Sequence, residues 1–263
     1  MAVATRRTRT VVRTPENPRG LRDLPFAVPE VSDGQRRRAR RLFKKLGERY
    51  PQACCELEYS SPHELLIATI LSAQATDAGV NKATPELFKR FRSPDAFARS
   101  TPKQIEGYIR TIGLFRNKAK SVHAAMVSVV EDFGGEVPST MEELLTLRGV
   151  ARKTANVVLG NAFGIQVGFV VDTHIERLSK RFGLAPENAT VAMVERYLCA
   201  QVPRKDWSLA GHQLIFHGRR VSKARGWDPS VDPIDRVFSA SYEEVVRKER
   251  ARVKKKAGRS AVR

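Results

Sequence analysis

Apolar residues recur at intervals of three and four positions along much of this chain, which is the pattern of helices that bury one face. Two clear series contain Leu66, Ile67, Ile70 and Leu71, and then Ile105, Ile109 and Ile112. The one strand-like run, residues 167–171, is too short to nucleate a sheet. The pattern therefore predicts an all-α protein in which residues 167–171 form an extended, buried connector.

Several predicted helices begin with the same capping signal. A serine or threonine is followed three positions later by glutamate or glutamine, so that each side chain satisfies a backbone N–H of the first turn. Proline at the first helical position strengthens two of these signals. They begin at Ser61, Thr101, Thr140, Thr173 and Ser241. We expect a helix to begin at each of these residues, in addition to a first helix over about residues 35–56.

The segment around Gly149 carries the candidate chemistry. Glycine adopts backbone angles that side chains disfavour, and the N–H groups after such a turn form a positive helix end that suits a DNA phosphate. Lys153 falls in that first turn, where the positive end favours the neutral amine of a nucleophile. Asp172 follows 19 positions later. On the turn alone, an ordinary glycine turn with a solvated lysine explains the pattern equally well.

Four segments of the chain form a specific set, namely residues 149–159 (GVARKTANVVL), 171–174 (VDTH), 71–77 (LSAQATD) and 111–115 (TIGLF). As a set they resemble the endonuclease III family of base-excision DNA glycosylases. The first two resemble the family's helix-hairpin-helix and the aspartate that follows it, and the other two resemble its two DNA-probing loops. Arg148 stands where the family usually has proline, and Ala151 where many members have a second glycine. The resemblance extends from about residue 36 to residue 221.

This resemblance implies an all-α, two-lobed helix-hairpin-helix DNA glycosylase fold with the DNA groove between the lobes. We expect residues 57–167 to form a six-helix domain that includes the hairpin. Residues 35–56 and 168–246 would together form the other, terminal helical domain. We expect residues 1–34 to be a disordered basic arm and residues 247–263 a basic tail.

The resemblance also implies a bifunctional DNA glycosylase and AP lyase of base excision repair. Lys153 would attack the sugar and form a Schiff base, Asp172 would assist, and β-elimination would cut the strand 3′ to the abasic site. The expected substrates are oxidised pyrimidines and abasic sites in double-stranded DNA. Two alternatives stay open, namely a sibling glycosylase for oxidised guanine or mismatched thymine, and a non-catalytic protein that binds damaged DNA. Lys153 and Asp172 favour catalysis, because binding alone needs neither.

The same resemblance indicates which residues contact DNA. Gln74 would fill the gap left by an everted base, and Leu114 would act as a wedge in the base stack. Further expected contacts are Gly149, Val150, Ala151, Arg152 and Thr154 in the hairpin, together with His174, Lys223 and Arg225. An ordinary structural role is the alternative for each residue, and for His174 we favour a local hydrogen bond.

Charge supports a nucleic-acid partner. The chain has 47 basic and 28 acidic residues, a net charge of +19. Residues 1–41 carry a net charge of +7 and residues 247–263 a net charge of +8, so the two ends hold most of the excess. Such ends are typical of electrostatic arms for a polyanion, with a solubilising tail as the alternative. The arginine-rich start also fits an organelle transit peptide, but its prolines and lack of apolar periodicity argue against that interpretation.

The cysteines predict neither disulfides nor a metal centre. Cys54, Cys55 and Cys199 have no disulfide or metal spacing. Many endonuclease III relatives end in four cysteines that hold a [4Fe–4S] cluster, and such clusters need thiolate ligands. The corresponding positions here are Ser222, Pro229, Asp232 and Phe238. We therefore expect no cluster and no other cofactor, and a loop held by the apolar residues Trp227, Pro229, Pro233, Ile234 and Phe238.

The sequence also gives expectations about location and assembly. No stretch approaches the ~20 apolar residues of a membrane helix, and no signal-peptide core follows the N-terminus. We expect a cytoplasmic, nucleoid-associated protein that has no membrane partner and acts as a monomer.

Overall fold

The computed structural model describes residue 21 and residues 23–239. Within these residues all regular secondary structure is helical, and there is no strand. A short 3-10 turn spans Arg204–Asp206. The α-helices are α1 Asp33–Arg49, α2 Pro62–Ser72, α3 Asp77–Arg90, α4 Pro94–Ala98, α5 Pro102–Ile109, α6 Phe115–Phe133, α7 Met141–Leu144, α8 Arg152–Ala162, α9 Thr173–Arg181, α10 Val191–Gln201, α11 Trp207–Arg220 and α12 Pro233–Phe238. The prediction of an all-α protein is confirmed.

The chain forms two compact units. Among the described residues, the first contains residues 21, 23–49, 172–207 and 217–239, and the second contains residues 50–171 and 208–216. The second unit contains helices α2 to α8 and residues 208–216 of α11. The sequence predicts six helices within residues 57–167, where the structure has the seven helices α2 to α8, of which α4 and α7 have only five and four residues.

The second unit has a continuous apolar core. Leu66, Ile67 and Leu71 of α2 are fully buried, as are Val122 and Met126 of α6. These residues belong to one cluster that extends from Leu57 to Leu159. The helical spacing of the apolar residues therefore corresponds to the buried face, as the sequence predicts.

The predicted capping signals are found at three helix starts of this unit. The hydroxyls of Ser61, Thr101 and Thr140 accept hydrogen bonds from backbone N–H groups three residues later. Thr101 and Gln104 form a complete capping box. The signal predicted at Ser241 lies outside the described residues.

Two local predictions for the first unit need correction. Helix α1 ends at Arg49 rather than near residue 56, because Pro51 disfavours a helical conformation in the residue before it. The cap of α9 is Asp172 and not Thr173, which is the first helical residue. Residues 167–171 contain no strand, and Phe169 and Val171 are buried, as expected for the connector.

The basic arm and tail lie largely outside the described residues, which exclude residues 1–20, 22 and 240–263. Within the described part of the chain, no helix combines the length and apolar character needed to cross a membrane.

Candidate active site

The turn before α8 needs a glycine for two separate reasons. The N–H of Val150 donates to the carbonyl of Leu147 at 3.1 Å, which closes the turn. Gly149 has φ +84°, a value that suits the third position of a type II turn and that side chains disfavour. A Cβ on Gly149 would lie 2.9 Å from Cβ of Ser121 and 3.5 Å from Cγ2 of Ile70. The turn therefore packs closely against α2 and α6, the two helices that adjoin the predicted DNA-probing loops.

Helix α8 begins without a side-chain cap. Ala151 is the N-cap, with φ −98° and ψ 169°, and it provides no side-chain hydrogen bond. This extended backbone suits alanine, so the missing second glycine introduces no strain here. The first backbone bond at this start runs from Ala155 N–H to the Ala151 carbonyl at 3.0 Å. The earlier N–H groups of the helix precede its ladder of backbone bonds and can bind an anion.

The amine of Lys153 stands at this helix start. Lys153 is the second residue of α8 and is exposed, whereas Arg152 and Thr154 beside it are half-buried. Val150 is buried and anchors the turn in the core. An exposed amine next to an uncapped helix start has the two elements needed to hold a phosphate and attack a nearby electrophile.

Asp172 begins α9 in the first unit. Its Oδ1 accepts a hydrogen bond from Ile175 N–H at 2.8 Å, and its carbonyl accepts one from Glu176 N–H at 2.8 Å. The side chain is half-buried. Its backbone and one carboxylate oxygen are thus fixed by the helix, which holds the charged group in a defined direction.

His174 is the second residue of α9 and is hydrogen-bonded locally. Its Nδ1 is 3.2 Å from Nη2 of Arg177. Because a guanidinium only donates, Nδ1 is assigned as the acceptor and the proton of the neutral ring to Nε2. Burial lowers the pKa of His174, Asp172 opposes this shift, and Arg177 adds to it. Burial thus favours the neutral ring, and the contact with Arg177 is compatible with either the structural or the DNA-binding role.

The two predicted DNA-probing residues share an unusual backbone conformation. Gln74 has φ 55° and Leu114 has φ 58°, and they are the non-glycine residues with positive φ in the described part of the chain. Both are exposed, and the side chain of Leu114 remains 61% exposed although it is large and apolar. Left-handed backbone at bulky residues costs about 1–3 kcal/mol and is concentrated at functional sites.

The loop after α11 contains the remaining predicted contacts. Lys223 and Arg225 are exposed, and the carbonyl of Lys223 accepts a hydrogen bond from Arg181 at 2.8 Å. Their side chains are thus accessible to DNA, while the backbone carbonyl of Lys223 is held by Arg181 of α9.

The positions that correspond to the cluster cysteines do not fit an iron–sulfur cluster. Ser222 is buried and accepts a hydrogen bond from Arg181 at 3.1 Å. Asp232 is engaged as the cap of α12 and in an ion pair with Arg49 at 2.9 Å. Pro229 and Phe238 have no ligand atom. No step of the reaction is derived through such a cluster.

Apolar packing explains only part of how this loop is held. Ile234 and Phe238 are buried, as expected, but Trp227 and Pro229 are half-buried and Pro233 is exposed. Sequence reasoning missed a buried polar group, in which His217 and Trp227 both contact Asp235. The pairing joins residues 18 positions apart in the sequence, which no local signal could reveal.

A second feature missed from the sequence lies in the second unit. Lys118 of α6 is 6% exposed, and its Nζ has no hydrogen-bond partner. Burial lowers the pKa of this lysine. Oδ1 of Asn156, one turn beyond Lys153 on α8, is likewise buried and unpartnered.

Comparisons with known proteins agree with this fold. Residues 67–204 match the HhH-GPD superfamily of base excision DNA repair proteins. The chain is 50% identical over 191 residues to endonuclease III of Synechocystis sp., a match that covers 73% of this chain and 87% of that protein. It is 46% identical over 181 residues to endonuclease III of Bacillus subtilis, covering 69% and 82% of the two chains.

A solved structure of a non-covalent endonuclease III–DNA complex is also similar. It has a TM-score of 0.75 and 38% identity, and the match covers 83% of this chain and 100% of that chain. A thermostable thymine-DNA glycosylase with 20% identity and a TM-score of 0.71 shares the fold. The helix-hairpin-helix glycosylase fold predicted from the sequence is confirmed.

Within the HhH-GPD superfamily, the chain belongs to the endonuclease III family. It is accordingly a DNA glycosylase and AP lyase of base excision repair. The roles assigned above to individual residues remain predictions.

Proposed function

We propose that this protein binds double-stranded DNA, excises oxidised or ring-saturated pyrimidines and cuts the strand 3′ to the resulting abasic site, with Lys153 as the nucleophile. The observation that carries the proposal is the exposed amine of Lys153 in the first turn of α8, a helix that lacks a side-chain cap. That helix start can hold a backbone phosphate, since its first N–H groups and its dipole both favour an anion.

The proposed reaction begins with eversion of the damaged nucleotide, because its sugar is inaccessible inside the duplex. The lone pair of Lys153 Nζ attacks C1′, and the bond from C1′ to the base breaks as the base leaves with the bonding electrons and takes up a proton. The carboxylate of Asp172 stabilises positive charge that develops on the sugar, or assists proton transfer. The nitrogen then loses one proton, the C1′–O4′ bond breaks and O4′ takes up a proton, which gives a protonated Schiff base (an iminium) between Lys153 and C1′.

Strand cleavage follows from the Schiff base. Removal of a proton from C2′ sends its electrons towards the iminium, and the C3′–O bond breaks by β-elimination. The 3′ fragment leaves with a 5′-phosphate, and hydrolysis of the Schiff base then releases Lys153 and the unsaturated sugar. The same residue therefore serves both the glycosylase and the lyase steps.

Gln74 and Leu114 support the everted state in this proposal. Unstacking a nucleotide costs a few kcal/mol, and a side chain that fills the vacated space offsets part of that cost. Both residues hold left-handed backbone conformations at exposed loop positions. Because both side chains are exposed to solvent, they are accessible to a bound duplex.

The nucleophile can be tested by borohydride trapping on abasic duplex DNA. We expect the wild-type protein to be trapped covalently and Lys153→Gln to bind the duplex without being trapped. Lys103→Gln is a matched control, because Lys103 is the exposed second residue of α5, a helix that Thr101 caps. Trapping of Lys153→Gln at the wild-type level would show that the nucleophile is another group.

A further inference from the structure

One face of α9 is tied to the loop that follows α11. His174, Arg177 and Arg181 are three and four residues apart and therefore share that face. Nη2 of Arg177 donates to the carbonyls of Gly218 and Ser222, each at 3.0 Å. Nη1 of Arg181 donates to the carbonyl of Ser222 at 3.1 Å and to that of Lys223 at 2.8 Å. Two guanidinium groups thus satisfy one carbonyl in the last turn of α11, that of Gly218, and two carbonyls of the loop that follows it.

The end of α11 approaches α9 so closely that a side chain at Gly218 would displace its neighbours on α9. A Cβ on Gly218 would lie 3.1 Å from Nδ1 of His174 and 3.2 Å from Nη2 of Arg177. Gly218 is helical, so the requirement is one of space and not of backbone angle. The contact joins the helix that begins with Asp172 directly to the start of the loop.

The connection continues through a buried polar group on the far side of the loop. The guanidinium of Arg181 lies 3.9 Å from the ring centroid of Trp227, within the distance at which cations and aromatic faces attract. Nε1 of Trp227 donates to Oδ2 of Asp235 at 3.0 Å. Oδ1 of Asp235 is 3.2 Å from Nε2 of His217, and both residues are at most 1% exposed. The contacts therefore lead from α9 through the loop and α12 back to α11.

A second carboxylate fixes the start of α12. Oδ1 of Asp232 accepts from the backbone N–H groups of Ile234 at 2.8 Å and of Asp235 at 3.3 Å. Oδ2 of Asp232 pairs with Arg49 at the end of α1, at 2.9 Å. All four carboxylate oxygens of Asp232 and Asp235 consequently have a partner within the first unit.

This arrangement differs from a vacant metal centre. His217, Asp232 and Asp235 have potential ligand atoms within 4.8 Å of one another. A cation there would compete with Arg49 for one carboxylate and with the Trp227 N–H for the other. Buried carboxylates that are already paired and hydrogen-bonded need no metal to remain stable.

We propose that this set of contacts, which we call the α9–loop network (Arg177, Arg181, Trp227, Asp235 and His217), takes the structural place of an iron–sulfur cluster. Its function is to hold residues 218–225 against α9, so that Asp172 and Lys223 keep fixed positions relative to each other. The network residues act through this backbone and are positioning residues. What they position rests on the proposed function, since it assumes that Asp172 and Lys223 act on DNA.

The test compares three substitutions in the network with one matched control. Arg181→Met removes the guanidinium and keeps most of the side-chain length, and Arg181→Lys restores a charge without the forked geometry. Trp227→Phe removes the N–H bond to Asp235 and leaves a smaller aromatic ring for Arg181. The control is Arg236→Met, because Arg236 is an exposed arginine of α12 that binds the Ser230 carbonyl at 3.0 Å outside the network.

We expect Arg181→Met to lower hydrogen-exchange protection of residues 218–225. It should also weaken binding to duplex containing a non-cleavable abasic analogue and slow single-turnover cleavage of abasic DNA, each by about tenfold to a hundredfold, the range of a small misplacement. Arg181→Lys and Trp227→Phe should retain intermediate rates at a melting temperature close to that of the wild type, and Arg236→Met should match the wild type. A rate that falls only as the melting temperature falls would overturn the positioning role.

Two further outcomes would overturn the proposal. Unchanged protection and unchanged affinity in Arg181→Met would show that the network holds nothing in place. A rise in the wild-type melting temperature on adding Zn²⁺ or Fe²⁺, absent in Asp235→Asn, would show that the buried group is a metal centre. Hydrogen exchange and melting do not depend on catalysis, so failure of the proposed enzymatic activity would be recognised separately by absence of borohydride trapping in the wild type.

Discussion

The starts of α8 and α9 carry the two proposed catalytic residues and solve the same physical problem in opposite ways. At α9, Asp172 supplies its own carboxylate to the first-turn N–H of Ile175. At α8, Ala151 supplies no side-chain acceptor. The positive end of α9 is thus satisfied within the protein, whereas that of α8 remains available to an anion from outside.

The comparison extends to the other helices. Side chains cap α2, α3, α4, α5, α7, α9, α10 and α12. Helices α6 and α8 start at Leu114 and Ala151 with no side-chain cap, and α11 continues directly from a 3-10 turn. The uncapped starts of α6 and α8 therefore coincide with segments proposed to touch DNA. Capping stabilises a helix by about 0.5–2 kcal/mol, so its omission at these two sites favours function over stability.

The largest effect is expected from removing the charge at the capped start. Asp172→Asn keeps a side-chain oxygen for Ile175 N–H, so unfolding free energy should change by less than about 1 kcal/mol. Single-turnover cleavage should fall roughly a hundredfold or more, as when a positioned charged group is removed from an active site. Urea unfolding and cleavage of abasic duplex by the same preparation provide the two measurements.

Thr190→Ala is the control for loss of a cap in the same unit. The Thr190 hydroxyl accepts from Met193 N–H at 3.3 Å at the start of α10. This variant should lose about 1 kcal/mol of stability and keep wild-type activity. If Asp172→Asn lost activity only in proportion to its stability, Asp172 would be a cap and nothing more.

The contrast between capped and uncapped helices shows what the sequence could predict. Ser61, Thr101 and Thr140 were readable as caps because capping depends on residues only three positions apart. The family resemblance indicated Gln74 and Leu114, but nothing in their side chains indicates positive φ, since glycine is the usual signal for that conformation.

Predictions failed where contacts depend on tertiary packing. Trp227 was expected to hold its loop by apolar burial, yet it stacks on Arg181 and donates to Asp235. His217 and Asp235 meet only because the tertiary fold brings these two positions together, which the spacing of residues along either helix cannot show. The residues missed are polar groups whose partners are distant in the sequence.

The next largest effect should come from closing the uncapped start of α8. Ala151 has the extended backbone of an N-cap, so aspartate can be introduced there without strain. Ala151→Asp should stabilise the protein by about 0.5–2 kcal/mol and weaken binding to undamaged duplex by roughly tenfold, equivalent to about 1.4 kcal/mol. The side chain would occupy the first-turn N–H groups and place a negative charge where the phosphate is proposed to bind. Thermal unfolding and fluorescence anisotropy measure the two effects.

Ala151→Ser separates capping from charge. Serine caps as well as aspartate but adds no negative charge, so it should give similar stability and a smaller loss of affinity. Wild-type affinity in Ala151→Asp would mean that the start of α8 does not contact DNA phosphate.

The smallest effect concerns the other uncapped start, at α6. Lys118 lies in the first turns of that helix with a buried, unpartnered Nζ. Both burial and the positive helix end disfavour its charged form. This differs from Lys153, which occupies the corresponding region of α8 but is exposed.

Lys118→Met should therefore stabilise the protein at pH 7 by roughly 1 kcal/mol, the lower end of the cost of an unpaired buried donor. The folded-state pKa of Lys118 lies below its ordinary value of 10.5, so between these two values the unfolded chain binds more protons than the folded protein. Wild-type stability must then rise with pH through that window relative to the variant. The advantage of Lys118→Met should be largest at neutral pH and should shrink towards pH 10.5.

Urea unfolding across this pH range measures the difference in stability, with Lys120→Met as the control because Lys120 is exposed on the same helix. If Lys118→Met were less stable than the wild type at every pH, the amine of Lys118 would have a stabilising partner in the folded protein. Lys118 and Lys153 would then differ only in their exposure to solvent.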